Sequence, residues 1–333
     1  MTSGDQPDEA ALRRLLQAVD PGLTLVRAQP LAGGVSARVT RIDALRPDGS
    51  TDAVVLRQYG AANLRSDPRS AAHEYKLLVR LRTLGVPVPR PRHADESRKI
   101  IPVPYLVTDF VDGATVTEPG QVTGSRSAFT RQVAATLASI HQAGVAPRDV
   151  PYLGDVLGIA TARQGTGPTS LDAALDEEAV RAALAHAWPP PQVNEPGLLH
   201  GDYWPGNILW RNDMLVGVID WEDAVVGDPL ADVANARMEL TMAFGLAAAS
   251  EFTTHYTELM PSVDLTALAH WDLYAALRHA GRMAEWGLSP VALARLQAGH
   301  REFTTAVLAR FPSPRPARQN GVISPTCGRS TAD

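Results

Sequence analysis

Residues 199–232 read LHGDYWPGNILWRNDMLVGVIDWEDAVVGDPLAD. Two apolar, β-prone segments, Asn207–Trp210 and Leu215–Asp220, flank a polar turn at Arg211–Asp213, which is the pattern of a short hairpin. His200-Gly201-Asp202 precedes the first segment, and Asn207 follows Asp202 by five positions. Asp220 closes the second segment and is followed by Asp223 and Gly227-Asp228-Pro229. The hairpin therefore gathers a carboxylate able to accept a hydroxyl proton (Asp202) and two oxygen donors suited to magnesium (Asn207 and Asp220).

Working outward, the 333 residues suffice for two lobes with a substantial core, and 45% hydrophobic with 20% charged residues is the balance of a globular protein. A single cysteine, Cys327, excludes an internal disulfide framework and a cysteine-based metal site. The sequence lacks an apolar run of membrane-spanning length and a basic-then-apolar start, so the expected setting is the cytoplasm, with no membrane partner. Nothing points to nucleic acid as a partner, and a monomer or homodimer is expected. Basic residues number 16 against 12 acidic before residue 112, and 15 against 24 after it. That asymmetry suits a phosphate-rich ligand on the first part and a cationic one on the second, although scattered surface charge explains it equally well.

Upstream, residues 7–18 predict a short helix. Leu23–Gln29, Arg38–Leu45 and Thr51–Tyr59 predict three meandering antiparallel strands. Gly33 and Gly34 between the first two permit close approach of backbone N–H groups to phosphate, and Ser36 adds a hydroxyl; ordinary turn chemistry explains the glycines as well. Asp67-Pro68 is expected to open a helix that Gly85 closes. Glu74 lies on it, facing inward toward Arg57 on the third strand, or else exposed on the surface. Residues 86–91 read as an extended connector, Ile100–Pro102 and Tyr105–Asp109 as strands, and Phe110–Gly113 as a linker between lobes. The later chain is expected to be helical: Ser127–Gln142, Leu171–Trp188, Pro229–Phe244, Ala247–Leu259, Leu265–Trp286 and Val291–Arg310. Residues 145–170 read as a Pro- and Gly-rich insertion, and 312–333 as a disordered tail.

Asp-x-x-x-x-Asn followed by a strand-terminal Asp is the arrangement of kinase catalytic loops. With Gly227-Asp228-Pro229-Leu-Ala-Asp232 behind it, the chain resembles the aminoglycoside phosphotransferase-like family over roughly residues 23–311. Leu31–Ser36, Val55-Leu56-Arg57, His73-Glu74, residues 85–90 and Leu106–Gly113 add weaker support. The resemblance implies an α+β, bilobal protein-kinase-like fold: an N-terminal extension (1–22), a nucleotide-binding lobe (23–111) and a mainly helical lobe (112–311). It implies transfer of the γ-phosphate of ATP or GTP to a small-molecule hydroxyl, with Mg²⁺ held by Asn207 and Asp220 and Asp202 as the catalytic carboxylate. It also implies that His200 and Asp232 brace the catalytic loop. Gly33, Gly34, Ser36, Arg57, Glu74 and backbone groups of Asp109 and Val111 would meet the nucleotide.

The sequence departs from the kinase pattern at Arg57, where a lysine is usual. Asp220 is followed by Trp-Glu rather than Phe-Gly, and no Ala-Pro-Glu element follows, which argues against a protein substrate. For the acceptor, Asp223, Glu239, Asp272 and Glu285 with Trp271, Tyr274 and Trp286 suggest an acidic, aromatic-lined cleft for an amino sugar or other cationic alcohol; macrolides and sugars stay open. Two other readings are a catalytically weak nucleotide-binding or regulatory protein and a metal-dependent phosphohydrolase.

Overall fold

Period-two alternation along the first lobe builds a twisted antiparallel sheet. The computed structural model describes residues 7–31, 37–165, 168 and 170–311. The readings placed on Gly33, Gly34, Ser36, Cys327 and the C-terminal tail lie outside the described residues. Helix α1 (Glu9–Val19) starts where the Asp8 carboxylate accepts the Ala11 N–H at 2.6 Å. Strands β1 (Thr24–Pro30), β2 (Ala37–Leu45) and β3 (Thr51–Tyr59) follow as the expected meander. Val54 and Leu56 of β3 point into a core with Leu12, Leu15 and Leu16 of α1. Arg57, one residue out of phase, is thereby aimed from the opposite face of the sheet.

Helices α2 (Ala61–Ser66) and α3 (Ser70–Thr83) come next, then β4 (Pro91–Asp95) and β5 (Tyr105–Asp109). The sheet order is β1-β2-β3-β5-β4. Two expectations are corrected here. Ile100–Pro102 is not a strand; Pro91–Asp95 takes the edge position, where a proline without an N–H is tolerated. α3 begins at Ser70 rather than Pro68, after a turn in which the Asp67 side chain accepts the Arg69 N–H (2.9 Å) and its carbonyl accepts the Ser70 N–H (3.2 Å). The six-residue α2 has no counterpart in the sequence reading.

The second lobe is mainly helical. α4 (Arg126–Gln142) precedes residues 145–170, which were expected to be an insertion but contain β6 (Gly154–Asp155) and α5 (Val156–Gly165). α6 (Glu177–Ala187) is shorter than expected, and β7 (Gly197–Leu199) leads into the hairpin of β8 (Ile208–Arg211) and β9 (Met214–Val218). Asn212 and Asp213 both have positive φ, as a two-residue primed turn requires. β10 (Val225–Gly227) pairs parallel to β6 and antiparallel to β7. α7 (Leu230–Phe244), α8 (Leu246–Leu259), α9 (Leu268–Ala276) and α10 (Pro290–Leu308) complete the lobe. The single helix expected over Leu265–Trp286 is corrected: α9 stops at Ala276, and turns follow to a 3-10 segment at Met283–Trp286.

His300 of α10 explains part of that stop. Its ring is buried, with Nε2 2.8 Å from the Ala276 carbonyl and Nδ1 3.3 Å from the Thr304 hydroxyl. Burial, opposed by the hydrogen bond to Ala276, pushes its pKa down to about 4. The folded ring thus stays neutral between pH 6.5 and 4 while the unfolded chain takes up a proton, so stability falls as pH drops through that window. Between pH 7 and 5 the group should cost about 2 kcal/mol. Urea denaturation at both pH values should show His300→Gln less stable than wild type at pH 7, with the gap narrowing at pH 5.

Candidate active site

Between β7 and β8 the chain makes a loop whose backbone is held from beneath by one buried carboxylate. Asp232, in the first turn of α7, accepts the His200 N–H at Oδ2 (2.7 Å) and the Gly201 N–H at Oδ1 (2.9 Å). His141 Nε2 lies 3.3 Å from the same carboxylate, and its Nδ1 is 2.7 Å from the Tyr256 hydroxyl. Burial alone would raise the Asp232 pKa; His141, His200 and the backbone donors outweigh it and hold the carboxyl below its usual range. Gly201 has φ +80°, and a Cβ there would sit 1.8 Å from the Asp223 carbonyl oxygen, so this position admits only glycine. The His200 ring reaches the Ile219 carbonyl through Nε2 (3.0 Å) and accepts the Asp202 N–H at Nδ1 (3.3 Å). It ties the loop to the end of β9.

The three groups expected to carry the chemistry come together. The Asn207 amide Nδ2 donates to the Asp202 carbonyl (2.9 Å) and to its Oδ2 (3.2 Å). The Ile219 N–H donates to the Asn207 carbonyl at 2.9 Å, which sets Asn207 beside Asp220. Asp220 has φ +67°, an uncommon conformation for a non-glycine residue and one often found at functional sites. Asp202 titrates higher than usual: burial pushes its carboxyl up to about 6 against the charge of Arg278, with Glu239 and Asp223 adding to the rise.

Across the cleft, Arg57 is shared by three carboxylates. Its Nη2 donates to Asp220 Oδ1 at 2.6 Å and to Glu222, and its Nε lies 3.7 Å from Glu74. Glu74 is buried and also accepts the Tyr59 hydroxyl at 2.6 Å. Burial raises its pKa, with Arg57 and Tyr59 acting in the opposite direction. Glu222, which the sequence reading missed, additionally accepts from Asn63 at 2.7 Å. At the linker, the Asp109 N–H donates to the Arg90 carbonyl (2.8 Å) and its carboxylate accepts from Arg92. Among the described residues, the Val111 backbone makes no hydrogen bond.

The expected acceptor residues separate. Asp272 is fully buried and bound by Arg237 at 3.0 and 3.2 Å, so it is a core ion pair and not a cleft ligand. Trp271, 2% exposed, packs edge-on against Trp188 and is corrected to a wall residue. Glu239 is engaged by His279 at 2.6 Å. Asp223 is exposed, and Tyr274 borders a cavity below the catalytic loop. The group the sequence reading missed is Arg278, whose Nη2 donates to Asp202 Oδ1 (2.9 Å) and Nη1 to the Gly201 carbonyl (2.6 Å). It reaches the loop because α9 ends two residues before it. Nothing in its local sequence marks it.

The model of the phosphotransferase enzyme family matches residues 27–277. The chain belongs to this family. Acyl-CoA dehydrogenase family member 11 of Homo sapiens is 26% identical over 190 residues, covering 54% of this chain and 24% of that protein. The chain thus spans about a quarter of the length of such relatives. Among solved structures, amicoumacin kinase hAmiN, in complex with AMP-PNP, Ca²⁺ and Ami, superposes with TM-score 0.59 at 14% identity, covering 90% of this chain and 94% of that one. A thermostable mutant of aminoglycoside phosphotransferase APH(4)-Ia, in ternary complex with ADP and hygromycin B, gives 0.58 at 19%, covering 88% and 98%. The phosphotransferase fold is therefore α+β and protein-kinase-like, with an antiparallel sheet lobe and a helical lobe. Among the described residues no helix is long and apolar enough to cross a membrane.

Removing the Asp232 carboxylate would orphan two loop N–H groups and the His141 ring together. Asp232→Ala should therefore lose about 3 kcal/mol of stability, read as a lower urea midpoint.

Proposed function

We propose that this chain is an ATP- or GTP-dependent, Mg²⁺-dependent kinase that phosphorylates a hydroxyl of a small molecule, with Asp202 as the catalytic carboxylate. The observation that carries this reading is the grouping of Asp202, Asn207 and Asp220 opposite Arg57. In the reaction the acceptor hydroxyl, oriented by Asp202, loses its proton to that carboxylate as its oxygen bonds to the γ-phosphorus. The bond from that phosphorus to the bridging oxygen breaks, and the nucleoside diphosphate leaves. His200 and Asp232 hold the loop so that Asp202 need not reorganise during transfer.

The residues present fit a hard divalent cation. Asn207 Nδ2 is committed to Asp202, which leaves Oδ1 as a donor, and Asp220 meets Arg57 through one oxygen only. These two would hold the ion, with nucleotide phosphates and water completing its shell. When bound it neutralises charge on the phosphates. Among the described residues no cluster of three or more His, Cys, Asp or Glu forms a self-contained metal cage, which agrees with an ion brought in with a nucleotide. On the first lobe, Arg57, Glu74 and the Val111 backbone would meet the nucleotide. The ligands named with the similar structures, ADP, AMP-PNP and Ca²⁺, support this assignment.

A second reading, a nucleotide-binding protein with weak catalysis, draws on the guanidinium of Arg57 being engaged by Asp220 and Glu222. A nucleotide-consumption screen over hydroxylated amines, acids, sugars and antibiotics separates the two. Asp202-dependent turnover is expected with at least one acceptor, and MgATP binding without turnover on any of them favours the second. Asp202→Ala should lower turnover by about 10²–10⁴ while the protein stays folded. Asp220→Ala should do the same, and a folded variant with wild-type turnover would remove the metal assignment. Chelation with EDTA should abolish transfer, and added Mg²⁺ should restore it.

A further inference from the structure

On the Arg278 side of Asp202 lies a cavity of about 270 Å³ bordered by Arg163, Gln164, Arg181, Tyr274, Arg278 and Arg282. Its position is fixed by Arg278, which lines it and at the same time holds Asp202 and the Gly201 carbonyl. Four of its lining side chains are arginines and none is acidic. This is the opposite of the acidic cleft that the sequence composition suggested.

Two of these arginines, Arg181 and Arg282, are not fully consumed by their neighbours. Arg181 meets Glu177 Oε1 through Nε (2.7 Å) and Nη2 (2.6 Å), so Nη1 lies outside that pair. Arg282 has no ion-pair partner among the described residues, and its loop is steadied by the Gly281 N–H donating to Asp172 at 3.0 Å. The Gln164 Nε2 is buried with no hydrogen-bond partner among the described residues. The cavity wall therefore offers uncommitted donors at Arg181 and Arg282, and the charge of Arg282, which no ion pair offsets among the described residues.

From this arrangement we infer that the acceptor carries an anionic group, a phosphate or a carboxylate, seated among these arginines while its hydroxyl lies at Asp202. The inference rests on the phosphotransfer reading above and names the substrate class of that site. Guanidinium groups match both oxyanions through paired N–H donors. A cationic amine in the same place would meet like charge on several sides. The cavity is smaller than those that enclose a whole drug-sized ligand, so it suits the anionic arm of an acceptor rather than all of it.

The test is calorimetric binding to the full chain saturated with AMP-PNP and Mg²⁺, using glycerol 3-phosphate, glycerate, glycerol and ethanolamine as probes. One or both anions should bind tighter than glycerol and ethanolamine, and comparing the two identifies the oxyanion. Arg282→Glu should weaken the favoured anion about tenfold or more, Arg282→Lys should recover part of the loss, and AMP-PNP affinity should stay unchanged. Ethanolamine binding tighter than both anions, neither anion binding, or unchanged anion affinity in Arg282→Glu overturns the inference. Anion binding through Arg282 in a protein that does not bind AMP-PNP would keep the cavity assignment and sink the phosphotransfer reading. Turnover of cationic alcohols alone would do the reverse.

Discussion

The Asp232 carboxylate is the constraint on which the site depends. It lies at the start of α7, buried, and accepts the N–H groups of two consecutive loop residues, His200 and Gly201. A loop crossing the interior needs partners for its backbone, and an ionised acceptor gives stronger bonds than a neutral one. His141 and Tyr256 brace that carboxylate from α4 and α8, so three helices contribute to one anchor. Gly201, with positive φ and no room for a side chain, lets the chain turn over it, and Asp202 follows at a set position.

Two further contacts orient the groups that this anchor places. From the sheet lobe, Arg57 reaches Asp220 and Glu222 on the other lobe and so spans the cleft. From the helical lobe, Arg278 meets Asp202 on the side away from Asn207. The two arginines lie on opposite sides of the catalytic groups. One lies where phosphates would enter, and the other borders a basic cavity where an acceptor would sit. An arginine in place of the usual lysine keeps its charge at any physiological pH, and its fork lets one side chain address several carboxylates at once.

Most of the hairpin was legible because its chemistry is local. Asp202, Asn207 and Asp220 lie within nineteen positions, and a two-residue turn brings them into register. Arg57 and Glu74 were legible as a pair because strand alternation and the stripe of α3 both aim inward. The sequence signal failed where long-range packing set the outcome. The break of α9 at Ala276 has no proline to announce it, and the carbonyl at its end is met by His300 from α10. Asp272 and Trp271 looked like cleft residues by type, but α7 and Trp188 pack over them.

By itself, then, the sequence determined the class of fold and the groups suited to phosphoryl transfer, because those depend on short spacings and on side-chain periodicity along single elements. The sign of charge in the cavity beside Arg278 was decided by tertiary structure alone. Arg163, Arg181, Arg278 and Arg282 come from three separate stretches of chain, and the second lobe as a whole is acidic. Only the packing of α5, α6 and the turn after α9 gathers them in one cavity, and electrostatic recognition responds to that local grouping over a few ångströms rather than to composition.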